Sequence, residues 1–112
     1  MRKSDLFVQK KRLSPFVNGS SDLDRILRSR GVDTVLVTGT VTNGCCECTA
    51  RDAMQLNYKT VFVSDANATR TDEEHNATLA SMLQTFADVQ SSAEVIEALQ
   101  PQGAKRPAAQ AV

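Results

Sequence analysis

What the sequence lacks limits the classes of function open to it. Its 112 residues include 13 lysines and arginines and 13 aspartates and glutamates, so neither charge sign is in excess. This balance argues against a nucleic acid or an anionic membrane as a partner, because both attract basic surfaces. No apolar run approaches the roughly 20 residues that a membrane-spanning helix needs. No apolar run long enough for the core of a secretory signal follows residues 1–5, so such a signal is not expected.

Cysteine and histidine are also scarce. Cys45, Cys46 and Cys48 are an odd number of cysteines in one cluster, which is not a disulfide framework and suits the reducing cytoplasm. Adjacent cysteines point apart on a helix, and a structural zinc site needs four ligands at other spacings. No metal site and no cofactor are therefore predicted. The one histidine, His75, falls in the first turn of a predicted surface helix, where we expect a solvated side chain.

Strand and helix patterns alternate along a chain that is long enough for one domain. Apolar runs rich in β-branched residues at 34–38 and 60–63 predict strands that are buried on both faces. Helices are predicted at residues 22–30, 45–56, 71–86 and about 92–99, with further strands possible at 6–8 and near Val89. Short connections between alternating elements predict an α/β fold with a parallel sheet and flanking helices. Residues 101–112 are predicted to form a disordered tail.

Helix ends carry their own signals. Gly31 is well placed to end the first helix. Thr71 with Glu74 has the capping-box pattern, in which a hydroxyl caps the helix and a carboxylate follows three residues later. Ser91 or Ser92 is predicted to cap the last helix.

The loop after the strand at residues 34–38 is the best candidate site, because sites in parallel sheets form beyond the carboxyl ends of the strands. It delivers Cys45 to the first turn of a helix. Unpaired backbone N–H groups and the helix dipole there favour the thiolate, the nucleophilic form of cysteine. The same N–H groups suit the oxyanion that forms when a thiolate attacks a carbonyl. The alternative is a cysteine buried for packing, which is expected of Cys46 and Cys48 against the sheet.

A cysteine nucleophile needs a group that transfers protons. Lys10 and Lys11 follow the possible first strand, at the kind of strand end where site residues collect. The alternative interpretation of adjacent lysines is a solvated basic loop. Glu47 and Arg51 are spaced i and i+4, so they are expected to pair along their helix.

Three segments of the chain resemble the isochorismatase-like cysteine hydrolase family. Residues 35–53, VLVTGTVTNGCCECTARDA, are similar to its nucleophile segment, in which a buried strand enters a Gly-x-x-Thr-Asn-x-Cys turn before a Thr-Ala-Arg-Asp-Ala helix. Residues 10–16, KKRLSPF, are similar to its Lys-x-x-x-Ser-Ala-Phe segment, and residues 61–66, VFVSDA, to its next strand and turn. The resemblance extends over residues 6–99.

The resemblance implies a Rossmann-like three-layer fold and a Cys-Lys-Asp triad that cleaves a C–N bond of a small amide or ureide through a thioester. Cys45 matches the nucleophile and Lys10 the lysine, with Lys11 one place away. It also implies a cis peptide bond between Thr40 and Val41, with the backbone N–H groups of Val41 and Cys45 as the oxyanion hole. The Cys-Cys-Glu variant is similar to the subgroup of ureidoacrylate and biuret amidohydrolases, and no metal is implied.

The sequence departs from the family pattern in two places. Gly44 stands where a branched apolar residue is usual. The opening strand that carries the triad aspartate has no counterpart, because Asp5 begins the segment that leads to Lys10. Residues 1–100 are therefore interpreted as an N-terminally truncated domain. The hypotheses are an impaired hydrolase, a catalytically silent truncated relative, or an oligomerising α/β interaction module, and an exposed sheet edge predicts homo-oligomers.

Overall fold

Three parallel strands and four α-helices make up the part of the chain that the structure describes. A computed structural model describes residues 2–101 of the chain. The strands are β1 (Thr34–Thr40), β2 (Lys59–Ala68) and β3 (Asp88–Gln90), and the helices are α1 (Leu23–Ser29), α2 (Glu47–Gln55), α3 (Asp72–Ser81) and α4 (Ser92–Leu99). Wide helical turns at Thr42–Cys46 and Met82–Phe86 connect β1 to α2 and α3 to β3. The predicted α/β fold with a parallel sheet and flanking helices is confirmed.

The sheet has the order β1, β2, β3, so among the described residues β1 pairs on one side only. The register between β1 and β2 breaks after Val37. Val37 lies opposite Phe62, whereas Gly39 lies opposite Asn67. The buried Asn67 amide fills this break: its Nδ2 donates to the carbonyls of Val37 and Val63 at 3.0 and 2.7 Å. The end of β2 is thereby held beside the end of β1, where the connecting turn begins.

Two groups of buried side chains hold α2 against the sheet. One consists of Val37, Cys46, Ala50, Phe62 and Met82, with Leu79, Phe86, Ala87 and Val89 at its margin. The other consists of Val35, Ala53 and Tyr58, with Phe16, Leu27 and Leu56 at its margin. Alanines at 50 and 53 are fully buried, since a small side chain lets the helix approach the strands closely. The packing therefore fixes the start of α2 relative to β1.

The caps predicted at Gly31 and Ser91 are confirmed, and the hydroxyl bond of the capping box predicted at Thr71 forms. The helices predicted at 45–56 and 71–86 are shorter, since α2 begins at Glu47 and α3 ends at Ser81. Gly31 has φ +72°, the left-handed conformation that suits glycine at a helix end. The Thr71 side chain accepts a hydrogen bond from the backbone of Glu74 at 3.2 Å. Ser91 and Glu94 form both bonds of a capping box at the start of α4.

Several sequence predictions need correction. Residues 6–8 form no strand, and Leu6 and Phe7 are exposed, because a strand needs a ladder partner and this segment lies outside the described sheet. β1 is buried on one face only: Val35 and Val37 are buried, whereas Leu36 is half-buried. The tail predicted at 101–112 lies outside the described residues except for Pro101. Among residues 2–101, no helix has the length and apolar character to cross a bilayer.

Candidate active site

Cys45 lies in the wide helical turn that follows β1, before α2 begins at Glu47. The segment Thr42–Cys46, here named the cysteine turn, starts after a cis peptide bond between Thr40 and Val41. The Val41 carbonyl accepts hydrogen bonds from the backbone N–H groups of Gly44 and Cys46, at 3.0 and 3.2 Å. The Cys46 N–H group is thereby occupied. It is therefore not one of the free donors that the sequence predicts for an oxyanion beside the Cys45 thiol.

Side chains from α2, from α3 and from the loop after β2 hold the cysteine turn. Thr42 Oγ1 lies 2.8 Å from His75 Nδ1 in α3, and Thr69 donates a hydrogen bond to Asn43 Oδ1 at 2.7 Å. Within α2, the Thr49 hydroxyl donates to the Cys45 carbonyl at 2.6 Å. A Cβ added at Gly44 would lie 3.7 Å from Val41 Cβ, an ordinary contact, so the glycine is not required by lack of space.

Lys10 is the basic side chain that reaches Cys45. Its Nζ lies 3.7 Å from Cys45 Sγ and donates to the Arg12 carbonyl at 3.1 Å. Backbone and side-chain groups of the buried Ser20 bind Lys11 N and Arg12 N, which closes the loop that presents Lys10. No bond joins the Lys11 side chain to Cys45 among the described contacts.

The loop that carries Lys10 is anchored on the apolar core. The Phe16 and Tyr58 rings pack with their centroids 5.4 Å apart. The buried Ser14 hydroxyl accepts from the Phe16 backbone at 3.1 Å. Tertiary packing therefore sets the position of Lys10. This packing brings Lys10 to Cys45, although the two residues lie 35 positions apart in the sequence.

A cavity of about 360 Å³ opens beside the Lys10 and Cys45 pair. It runs along β1 from Val35 to Thr38, and its walls include Phe16, Leu23, Leu27 and Thr49. The charged Lys10 and the nucleophilic Cys45 thus belong to the lining of a mainly apolar cleft. Small-molecule sites commonly combine an apolar wall with a few convergent polar groups.

The three cysteines have different surroundings. Cys46 is 4% exposed and packs in the core, as predicted. Burial, together with the neighbouring Cys45, raises the pKa of Cys46 from 9.0 to about 11. The prediction that Cys48 packs against the sheet is wrong: it is half-buried and lines a second cleft with Leu13, Val17 and other loop residues. Burial and the nearby Glu47 carboxylate raise the pKa of Cys48 as well.

In the described part of the chain, carboxylates are absent from the immediate surroundings of Lys10. Within residues 2–101, no Asp or Glu oxygen lies within 4.0 Å of its ammonium, and the ion pairs are formed elsewhere. Asp5 instead accepts a hydrogen bond from the backbone of Arg2 at 2.7 Å. The predicted pair of Glu47 and Arg51 is confirmed at 3.1 Å.

Metal-binding residues do not cluster in this part of the chain. No group of three or more His, Cys, Asp and Glu side chains with metal-binding geometry occurs between residues 2 and 101.

His75 is not the solvated residue that the sequence predicts. It is half-buried, with Nδ1 against Thr42 Oγ1 and Nε2 2.9 Å from the Ser64 carbonyl. Sequence reasoning missed it because Thr42 lies 33 residues earlier, and a lone histidine in a polar helix start carries no sign of such a contact. Helical periodicity shows which face a residue occupies, but not which loop approaches that face.

Comparison with known protein families shows which family the chain belongs to. The Isochorismatase domain model matches residues 1–94. The chain belongs to the isochorismatase family. Another isochorismatase family protein, YwoC of Bacillus subtilis, is 38% identical over 97 residues, which are 87% of this chain and 50% of YwoC. Ureidoacrylate amidohydrolase RutB of Variovorax paradoxus is 47% identical over 62 residues, which are 55% of this chain and 24% of that enzyme.

Solved structures of the isochorismatase family share this fold. An isochorismatase-like hydrolase from Alkaliphilus metalliredigens matches with a TM-score of 0.82 and 36% identity, over 89% of this chain and 53% of its own. The present chain thus spans about half the length of YwoC and of this structural relative. The resemblance noted in the sequence is confirmed at the level of family and fold.

Proposed function

We propose that this chain carries the nucleophile and the proton-transfer lysine of a cysteine amidohydrolase that acts on a small amide or ureide. The observation that carries the proposal is the 3.7 Å separation of Lys10 Nζ and Cys45 Sγ in the lining of a cleft. An ammonium beside a thiol stabilises the thiolate, the form that attacks a carbonyl. Relatives named as amidohydrolases, such as RutB, support the choice of a C–N bond as the target.

In the proposed reaction the Cys45 thiolate attacks the carbonyl carbon, and the oxyanion is held by the backbone N–H groups of Val41 and Cys45. The Lys10 ammonium gives a proton to the leaving nitrogen as the C–N bond breaks, which leaves a thioester on Cys45 and a neutral lysine. Water then attacks the thioester while Lys10 takes up its proton. The acid is released and the thiolate is restored. No step uses a metal or an organic cofactor.

We infer that the chain alone is a slow catalyst. Lys10 has no carboxylate within 4.0 Å among residues 2–101, so nothing in this part of the chain relays protons to and from the lysine. Removing one member of a catalytic unit commonly lowers the rate by several orders of magnitude. The alternative is a catalytically silent relative. The lack of a carboxylate beside Lys10 among residues 2–101 supports this alternative as well. Three free cysteines agree with a location in the cytoplasm, which is also part of the proposal.

The test is ammonia release from ureidoacrylate, biuret and nicotinamide. Cys45→Ala and Lys10→Met should abolish the release, since each removes one of the two reacting groups. Cys48→Ala and Lys11→Met are matched controls, because each changes a neighbouring residue of the same type outside the contact, and both should keep the wild-type rate. Activity that survives Cys45→Ala would refute the nucleophile assignment. Absence of release with every substrate, at high enzyme concentration, would favour the silent relative.

We also propose that the chain forms homo-oligomers. β1 pairs only with β2 in the described sheet, and unpaired strand edges attract other chains. Leu6 and Phe7, which are 54% and 76% exposed, add an uncovered apolar surface. Sedimentation velocity at micromolar concentration should show species larger than a monomer. A single monomeric species would contradict this proposal, and it would also remove the case for an interaction module.

A further inference from the structure

We propose that His75 is a positioning residue for the cysteine turn. In the neutral form with the proton on Nε2, its ring joins the Thr42 hydroxyl to the Ser64 carbonyl and so fixes the backbone that carries Cys45. This inference rests on the proposed function, because it gives His75 a role in placing the nucleophile. It assigns a task to a residue that the reaction itself does not touch.

The cysteine turn depends on side chains for its shape. Asn43 (φ −91°, ψ 18°) and Gly44 (φ −126°, ψ −106°) are not helical, so a regular backbone ladder does not define the two residues before Cys45. Thr42, at the start of the turn, is fully buried. A buried hydroxyl without a partner is costly, because it has lost its bonds to water. The His75 ring supplies the partner that Thr42 has in this structure.

The hydrogen-bond partners define which nitrogen carries the proton. The Ser64 carbonyl can only accept, so Nε2 must donate to it across 2.9 Å. Nδ1 of the neutral ring is then an acceptor, and the Thr42 hydroxyl donates to it across 2.8 Å. One ring therefore connects the cysteine turn, β2 and α3 in a single orientation.

The start of α3 holds the ring in place. His75 N donates to the Thr71 carbonyl at 3.1 Å, and the Thr71 side chain caps the helix through Glu74 N. Ser64 lies in the extended part of β2, beyond the residues that pair with β3. Ser64 belongs to β2 and Thr71 caps α3, so the His75 ring is fixed relative to two regular elements. The ring can therefore hold the irregular cysteine turn in one position.

The proposal predicts a specific kinetic effect. A displaced nucleophile lowers the rate of attack more than it lowers substrate binding. His75→Leu should therefore lower kcat by about tenfold or more while KM stays within about twofold. Alkylation of Cys45 by iodoacetamide should slow by about fivefold or more, since the thiol moves away from Lys10.

The closing experiment combines substitution with nitrogen NMR. Because the chain has a single histidine, the imidazole ¹⁵N spectrum of the wild-type protein reports His75 alone. The expected result for the neutral ring is the Nε2–H tautomer. Kinetics and alkylation are measured for His75→Leu, Thr42→Val and the double variant. Thr42→Ser keeps the hydroxyl, and Asn76→Ala is a matched control on the same helix.

The outcomes separate the positioning role from the proposed reaction. The double variant should lose no more than the worse single variant, Thr42→Ser should restore most of the loss, and Asn76→Ala should behave as wild type. The Nδ1–H tautomer, or unchanged Cys45 alkylation in both His75→Leu and Thr42→Val, would overturn the positioning role. If His75→Leu fails to fold, the tautomer and Thr42→Val decide. Absence of ammonia release together with the expected tautomer and alkylation changes would refute the amidohydrolase proposal alone.

Discussion

The three neighbouring cysteines should differ sharply in reactivity, and Cys46 allows the difference to be calculated. Burial and the adjacent Cys45 raise its pKa to about 11. At pH 8 about one Cys46 side chain in 1,000 is then a thiolate, compared with about one in ten for a thiol at 9.0. Alkylation of Cys46 should therefore be about 100-fold slower than that of an exposed thiol, and its 4% exposure slows it further.

The assay uses three variants that each retain one cysteine, with the other two replaced by alanine. Iodoacetamide rates at pH 8 should rank Cys45 fastest, because it is half-buried and lies beside the Lys10 ammonium, and Cys46 slowest. Loss of Cys45 removes the smaller cause of the Cys46 pKa shift, and burial remains. In strong denaturant the three rates should converge. Rates for Cys46 and Cys45 within about threefold in the folded protein would refute the reasoning.

The sign of the pH effect on stability follows from the same shift. The pKa of Cys46 is higher in the folded chain than its ordinary value, so the folded state favours the neutral thiol. This contribution is fully present below pH 9 and is lost as the pH rises from 9 to about 11. The Cys46→Ala variant should lack that part of the decline in urea unfolding measured across this range.

Two further predictions concern the framework of the site. Burial and the hydrogen bond to Asp24 raise the pKa of Tyr58 to about 12. Absorbance of its phenolate, the only tyrosine signal in a chain without tryptophan, should rise with a midpoint near pH 12. Tyr58 then stabilises the fold below pH 10 and loses this contribution between pH 10 and about 12. Ser91→Ala, which removes the capping box with Glu94, should lower the free energy of unfolding by about 1 kcal/mol.

Each of these predictions has an experimental outcome that would contradict it. A Tyr58 midpoint near 10 would show that the phenol is not held by its buried environment. Ser92→Ala leaves the Ser91 cap in place and removes instead the exposed hydrogen bond from Ser92 Oγ to Asp65 at 2.8 Å, so the two variants separate these contributions. A Ser91→Ala variant that unfolds at the same urea concentration as the wild type would argue against the capping box as a source of stability.

The residues around Cys45 show how much the sequence could predict. Strand, turn and helix signals occur within residues 34–56, and they placed Cys45 after β1 and Cys46 in the core. Sequence spacing could not show which of Lys10 and Lys11 contacts Cys45, since adjacent positions in an irregular loop have no periodicity. Their difference arose from Ser20 and Phe16, which fold the loop onto the core.

The sequence by itself determined the family, the parallel α/β fold, the cap at Thr71 and a cap at Ser91 or Ser92, because each depends on local spacing or on a continuous motif. Only the tertiary structure decided the partners of His75, the separation of Lys10 and Cys45, and the one-sided burial of β1. These contacts join residues more than 30 positions apart or depend on which strand lies at a sheet edge. Packing selects them when the whole chain folds, and no local pattern specifies them.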